Sequence, residues 1–385
     1  MENDKIIEII AEKLKSKIRG AVVMQTDPNY DEARKLYNGM IQKYPKAIVK
    51  CADVSDVMYT VNFCRENRLV TAIRSGGHNG AGLGSCDDGI VIDLSLMKDI
   101  HIDPDKKTAR VEAGCLLGEV DEATSVFGLA VPTGIFSTTG VGGLTLGGGL
   151  GYLTRKYGLT IDNLLEANMV LADGRSVTAN ERDNSDLFWA IRGGGGNFGV
   201  VTSFLFQLHP VNDVYAGPIF WEANKAKEVM LFYRDYMETA PDDMYGFFTL
   251  MIIPASEPFP KELWNKNVCA IVWNYTGEIE QANEMFKPIR EFATPVLDFA
   301  GPIPFKNLQS MFDAVYPHGL QWYWKADYLN ELSDEVIEES IKYGTTIPTS
   351  LSQTHIYPID GVAGRIQKNA TAWNYRNAKY AQVIV

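Results

Sequence analysis

Near its start the chain repeats apolar residues at helical spacing, at Ile6, Ile7, Ile10, Leu14 and Ile18. Tyr37, Met40 and Ile41 continue an apolar face, so residues 1–45 read as helical. From residue 47 the period shortens. Apolar and β-branched runs at 47–49, 70–73, 89–94 and 108–112 predict strands, joined by glycine turns and by a helix at 54–66. Further on, 186–191 reads as a helix and 200–208 as a strand. After Pro210 glycines thin out while aromatics and methionine rise. Helices are expected there at 224–238, 280–292 and 334–343, and strands at 246–253, 267–275 and 351–357. The pattern is α+β, with one antiparallel sheet in the second half and a break near 210–216.

Composition narrows the classes. With 385 residues, 46% hydrophobic and 22% charged, the chain can bury two domain cores. Its net charge of −12 argues against nucleic acid or an anionic membrane as a partner. No apolar run is long enough to cross a bilayer, and the charged N-terminus lacks the unbroken apolar core of a signal peptide. The five cysteines are scattered, with no C-x-x-C pair. A reduced, cytoplasmic setting is expected, and no metal site.

Chemistry concentrates in the glycine-rich first half. The turn Arg74-Ser75-Gly76-Gly77-His78-Asn79 follows an apolar strand. Two glycines there let backbone N–H groups approach a phosphate, Arg74 adds charge, and His78 is presented as a nucleophile or attachment point. A second run spans residues 140–151, and no lysine follows it as a P-loop requires. Gly194-x-Gly196-x-x-Gly199 lies between a helix and a strand, the reverse of the Rossmann order, so a nicotinamide Rossmann enzyme is a poor fit.

Together these segments resemble the FAD-linked oxidases of the vanillyl-alcohol oxidase and p-cresol methylhydroxylase (PCMH) superfamily, in its berberine-bridge-enzyme-like branch. The matching pieces are Arg74 to His78, Gly140-Val141-Gly142-Gly143 with Gly148-Gly149, Tyr157 to Asn163, Ala172-Asp173-Gly174, Asp186 to Gly194, and Asn197 to Thr202. The resemblance implies a two-subdomain PCMH-type FAD-binding domain at 1–212. A substrate-binding domain at 213–370 would follow, its antiparallel sheet covered by helices. It also implies FAD bonded through a ring nitrogen of His78 to the flavin 8α-methyl group. Arg74, Ser75, Gly76, Gly77, Asn79 and Gly82 would wrap the diphosphate. Thr138, Gly140, Val141, Gly142, Gly143, Gly148 and Gly149 would pass the isoalloxazine ring, and Asp162, Asn163 and Val201 would contact the rest of the nucleotide.

Three departures modify this expectation. Phe136 stands where many relatives carry a second, cysteinyl tether, so attachment through His78 alone is expected. Leu144 replaces a histidine found after G-V-G-G in some relatives. Relatives usually continue beyond a segment like 371–376, so residues 371–385 are expected to begin an incomplete return to the FAD domain. The implied activity is hydride transfer from a hydroxylated small molecule, sugar-like or a secondary-metabolite alcohol, to flavin N5, with O₂ as acceptor. A flavin-binding but impaired protein, or a dehydrogenase with a partner acceptor, are the alternatives. Candidate catalytic groups are Tyr323 and Lys325, set on one face by strand alternation, and His355, which shares a face with Tyr357. His101, His209 and His318 are expected to be structural or at the surface.

Overall fold

The computed structural model describes Ile10 and residues 12–385. The first sheet forms from β1 (Ala21–Met24), β2 (Ala47–Lys50), β3 (Thr71–Arg74) and β4 (Ile90–Asp93), in the order β1-β2-β4-β3. β2, β4 and β3 run parallel, and β1 pairs antiparallel with β2. β4 is buried along its whole length, which is why Ile90-Val91-Ile92 reads as an unbroken apolar run rather than an alternation. The crossover from β2 to β3 is the helix Val54–Glu66, started by Asp53, whose carboxylate accepts from the Asp56 N–H at 3.1 Å.

The second sheet is antiparallel throughout. It contains β5 (Ile100–Asp103), β6 (Thr108–Glu112), β8 (Leu164–Val170), β9 (Ser176–Asn180) and β10 (Val200–Gln207), ordered β5-β6-β10-β8-β9. A short ribbon pairs β7 (Leu129–Ala130) with β11 (His209–Pro210). The helix Val54–Glu66 touches both β4 and β8. Its Val57, Phe63 and Cys64 share one core with Val49 and Ile92 of the first sheet and Val111, Ala167 and Phe204 of the second.

The third sheet holds β12 (Asp213–Glu222), β13 (Met244–Ile252), β14 (Asn267–Tyr275), β15 (Leu297–Asp298), β16 (Gly301–Pro304), β17 (Lys325–Leu329), β18 (Thr354–Pro358) and β19 (Tyr380–Ile384). Its order is β15-β12-β14-β13-β18-β19-β17, with β16 also on β12. One face, with Trp221, Phe248, Ile271 and Trp273, packs under the helices Ala226–Thr239, Ala282–Glu291 and Asp334–Gly344 through Tyr233, Phe286 and Ile337. The other face, with Phe247, Val272, Tyr357 and Ala381, packs on Tyr152, Leu153, Leu159 and Ile161 of the first half. Burial on both faces explains why β14 is apolar almost throughout.

Two expectations change. Ile6 and Ile7 lie outside the described residues, and Ile10 and Leu14 are fully buried in the first core. Residues 21–45, however, are a strand, one turn of helix at Tyr30–Ala33 and irregular chain, not a continuous helix. Gly20 packs against the Lys50 carbonyl, where a Cβ would come within 1.9 Å, and the β-branched Val22 and Val23 pair with β2. The C-terminal segment also divides. Residues 371–376 do meet the first half, with Trp373 N–H donating to Arg192 O at 3.2 Å, but β19 then inserts between β18 and β17 of the large sheet.

Candidate flavin site

Lys50, Arg74 and Asp93 end the three parallel strands in register. Beyond those carboxyl ends lies a cleft of about 560 Å³, lined by Glu32, Ala33, Lys35 to Tyr37, Lys50, Arg74 to Gly77, Ser95, His318 and Gly319 among others. Ligands of parallel sheets bind at this end of the strands, and this volume lies within the usual range for cofactor sites.

The turn after β3 is built by close backbone packing. A Cβ on Gly76 would meet the Gly140 nitrogen at 2.4 Å, and one on Gly140 would meet the Gly76 nitrogen at 2.2 Å. The two glycine segments are therefore one cradle, each leaving room for the other. Gly77 has φ +71°, in the region that favours glycine. Ser75 Oγ donates to Ala113 O at 2.5 Å and accepts from Gly142 N–H at 3.3 Å, tying the turn to the helix Val141–Leu146. Val141 is buried, whereas Gly143 is exposed with open space at its Cβ position.

Arg74 does not offer the free charge expected of it. Its guanidinium is buried, bonded to Asp93 Oδ2 at 3.2 and 2.6 Å and to the carbonyls of Ala33 (2.8 Å) and Lys35 (3.4 Å). It fixes the floor of the cleft, which Lys35 and Lys50 also line, the Lys35 ammonium paired with Glu32 at 2.6 Å. Asn79 is exposed, its Oδ1 accepting from Ala81 and Leu83 N–H at 3.1 Å each, and Gly82 closes that turn at φ +73°. Gly148 and Gly149 make room for Trp373 and Thr160, whose nearest atoms would lie 2.9 and 2.0 Å from an added Cβ. Asp162 takes both terminal nitrogens of Arg376, at 2.8 and 2.5 Å. Asn163 donates to Tyr157 O and Leu159 O and meets His209 Nε2 at 2.6 Å. Val201 is buried in the core of the first half. The side chains of these last three residues are thus engaged within the protein.

His78 stands at the other end of the cradle. Tyr37 stacks on its ring at 4.0 Å, and His318 meets it edge-on at 5.2 Å. Its Nε2 is buried without a hydrogen-bond partner. Burial, and secondarily His318, push its pKa down to about 4 against a backbone hydrogen bond at Thr138. The imidazole is neutral at pH 7, with a lone pair for bonding. Tyr37 Oη also donates to Tyr316 O at 3.1 Å, and Phe136 packs on the Tyr316 ring at 4.7 Å. The residue in the place of a second tether thus belongs to an aromatic cluster with Tyr316 and Trp324.

The catalytic candidates separate. Lys325 pairs with Ile384 and Thr354 across β17, β19 and β18, so these three share a face. Two residues along, Asp327, Gln382 and Ile356 share it too, and Gln382 donates to Ser340 of the helical layer at 3.4 Å. Lys325 therefore starts its strand on the helix-covered face, exposed, with its ammonium 5.5 Å from the centre of the Tyr323 ring. Tyr323 precedes the strand and is 66% exposed. His355 lies on the opposite face, buried beside Phe247 and Tyr357, which themselves pack on the first half.

A closed network surrounds His355. Its Nε2 meets Gln353 Oε1 at 2.8 Å and Tyr316 Oη at 3.1 Å, and its Nδ1 meets Tyr357 Oη at 2.5 Å. Since Gln353 Oε1 only accepts, Nε2 carries the hydrogen and Nδ1 accepts from Tyr357. Burial lowers the His355 pKa to about 3 and raises that of Tyr357. Gln353 was missed by the sequence reading, although strand alternation through Gln353, His355 and Tyr357 places it on the same face. Tyr37 and His318 had no local signal, and His318, expected to be incidental, faces His78.

Comparison with known proteins identifies the family. Residues 45–180 match the family model described as an FAD binding domain. An FAD-linked oxidoreductase of Dictyostelium discoideum is 33% identical over 366 residues, covering 94% of this chain and 78% of the relative. The chain belongs to the FAD-linked oxidoreductases. Within them, (R)-6-hydroxynicotine oxidase of Paenarthrobacter nicotinovorans is 40% identical over 205 residues, 53% of this chain and 45% of that one. The berberine-bridge-enzyme-like protein 1 of Physcomitrella patens superposes with a TM-score of 0.85 at 26% identity, covering 97% of this chain and 82% of that one. The 6-hydroxy-D-nicotine oxidase of Arthrobacter nicotinovorans gives 0.82 at 25% identity, covering 95% and 80%. The protein is a berberine-bridge-enzyme-like FAD-dependent oxidoreductase with a PCMH-type fold. Among the described residues no helix is long and apolar enough to cross a membrane, and no group of three or more metal-binding side chains occurs.

Proposed function

We propose that this oxidoreductase carries FAD on His78 as its single covalent anchor and oxidises a hydroxylated small molecule, a sugar-like or secondary-metabolite alcohol, with O₂ as acceptor. The observation that carries the reading is the neutral imidazole of His78, with one buried, unpartnered nitrogen, beside the Gly76–Gly140 cradle. Bound flavin would supply the redox chemistry, taking a hydride at N5 and returning electrons to O₂. The backbone of residues 75–78 and 140–143 would hold the cofactor, with Lys50 near its diphosphate. Arg74, Asp162 and Asn163 support the site from behind, since their polar groups are already bonded within the protein.

His355 takes a positioning role rather than that of a general base. A ring that resists protonation down to about pH 3 holds no proton from substrate at neutral pH, but it fixes the direction of the Tyr357 hydroxyl. Tyr323 and Lys325 lie exposed and away from that face.

The test is direct. The purified protein is expected to be yellow, with colour retained in the acid-precipitated pellet and lost from the pellet of His78→Ala. A colourless wild-type pellet would overturn covalent attachment. Anaerobic bleaching by a panel of alcohols, carbohydrates and a hydroxylated nicotine analogue then identifies the substrate class, and peroxide on admitting air distinguishes O₂ from a partner acceptor.

A further inference from the structure

A second buried titratable site lies where the two halves meet, away from His78. Asp121, on the helix Leu117–Ser125, is 4% exposed, and Gln309, on the helix Phe305–Ser310, is 1% exposed. Gln309 Nε2 donates to Asp121 Oδ2 at 3.3 Å, to Thr133 Oγ1 at 3.0 Å and to Gly134 O at 3.0 Å. These contacts set the amide orientation, because a carbonyl and a carboxyl oxygen both require the nitrogen to face them. Gln309 Oε1 and Asp121 Oδ1 are then both buried and without partners. Two orphaned acceptors on one bonded pair are costly, and a single proton shared between them would satisfy both.

We propose that Asp121 is held as a neutral carboxylic acid through the mildly acidic range and up to near neutrality, its Oδ1–H donating to Gln309 Oε1 in a two-bond acid–amide pair that positions residues 133–137 against the aromatic cluster. The charged surroundings agree. Burial lifts the Asp121 pKa to about 7 against the Gln309 hydrogen bond, which lowers it, and Asp313 adds a smaller repulsion. Lys306, the nearby cation on the facing helix, is engaged by Glu122 at 2.8 and 3.0 Å, and Asp213 adds a further carboxylate to the adjoining cavity. That cavity, of about 290 Å³, is lined by Asp121, Thr124, Ser125 and Lys306 among others. Asp313 also grips Ser137 through its N–H at 3.0 Å and its hydroxyl, so one helix and its following turn clamp both ends of the segment carrying Phe136.

The proton linkage has a definite sign. A carboxyl whose folded pKa is raised is fully stabilising below its unfolded value and loses that contribution as pH rises to the folded value. The substitution Asp121→Asn would keep the pair without the titrating proton, an amide N–H replacing the acid hydroxyl. Infrared titration of the full-length protein should show an acid carbonyl band that fades near neutrality and is missing in Asp121→Asn. Hydrogen exchange at residues 133–137, corrected for intrinsic rates, should rise several-fold between about pH 6 and about pH 9 in the wild type and stay flat in Asp121→Asn. Asp121→Ala should exchange fast at both. Equal pH dependence in wild type and Asp121→Asn, or no fading carbonyl band in the wild type, would overturn the proposal.

Discussion

Replacing Asp162 with alanine tests whether that carboxylate serves the nucleotide or the fold. Arg376 has a side chain 1% exposed, and that of Asp162 is 4% exposed. Two hydrogen bonds at 2.8 and 2.5 Å join them, and Asp162 also accepts from Leu159 N–H at 2.8 Å. Removing one partner of a buried pair strands the other charge in a low dielectric, at a cost of about 3–5 kcal/mol. Arg376 keeps only Ala363 O at 3.2 Å and Thr371 Oγ1 at 3.0 Å as acceptors, with Trp373 5.1 Å away, and these do not neutralise it. With a urea slope of about 3 kcal/mol per M, the unfolding midpoint should fall by more than about 1 M. The double change Asp162→Leu with Arg376→Met should recover most of that loss, because both charges go together. Equilibrium unfolding followed by tryptophan fluorescence reads this, with flavin content measured on the same samples. A loss below about 1 kcal/mol, typical of an exposed pair, would refute the buried-clamp reading. Loss of flavin from Asp162→Asn at unchanged stability would restore the nucleotide contact instead.

Gly140→Ala should lower stability by about 1–3 kcal/mol, measured by thermal melt, because the added methyl meets the Gly76 backbone, which has no flexible end to yield. His318→Ala should raise the His78 pKa by removing a repulsive neighbour. The acid limb of covalent flavin incorporation, read as acid-stable fluorescence, should then move to higher pH, and no movement or the opposite shift would count against the pairing. Tyr323→Phe and Lys325→Ala should leave kcat/KM within about twofold, whereas Tyr357→Phe should lower it by about tenfold or more, in steady-state assays on the identified substrate.

What the sequence made legible depended on distance along the chain. The parallel strands, their glycine turn and the helix Val54–Glu66 are local patterns, and they appear in the structure within a residue or so at each end. Residues 21–45 misled because apolar spacing alone does not register a glycine pressed on a neighbouring carbonyl, or the strand partner that β1 finds in β2. The site divided in the same way. His78 was visible in its own motif, while Tyr37 and His318, which flank its ring, come from loops that only the fold brings together. Arg74 shows the limit of reading charge from a motif. A guanidinium beside a phosphate-type turn suggests an anion partner, but the carboxylate that neutralises it ends the neighbouring strand, a pairing that exists only once β3 and β4 are in register.

The catalytic candidates carry the point further. Alternation correctly groups residues that share a face, as with His355 and Tyr357, yet it cannot say which layer that face meets. Pairing through β19 settles it, because Lys325, Ile384 and Thr354 stand opposite one another while His355 pairs with Val383 on the other side. The same reasoning reinterprets the glycines. Read separately, Gly76 and Gly140 suggest two loops, each approaching a cofactor. In the fold each occupies the space that the other's missing side chain leaves, so the backbone at His78 is positioned by a contact between two distant turns. A cofactor held there would depend on that contact before it depended on any polar side chain.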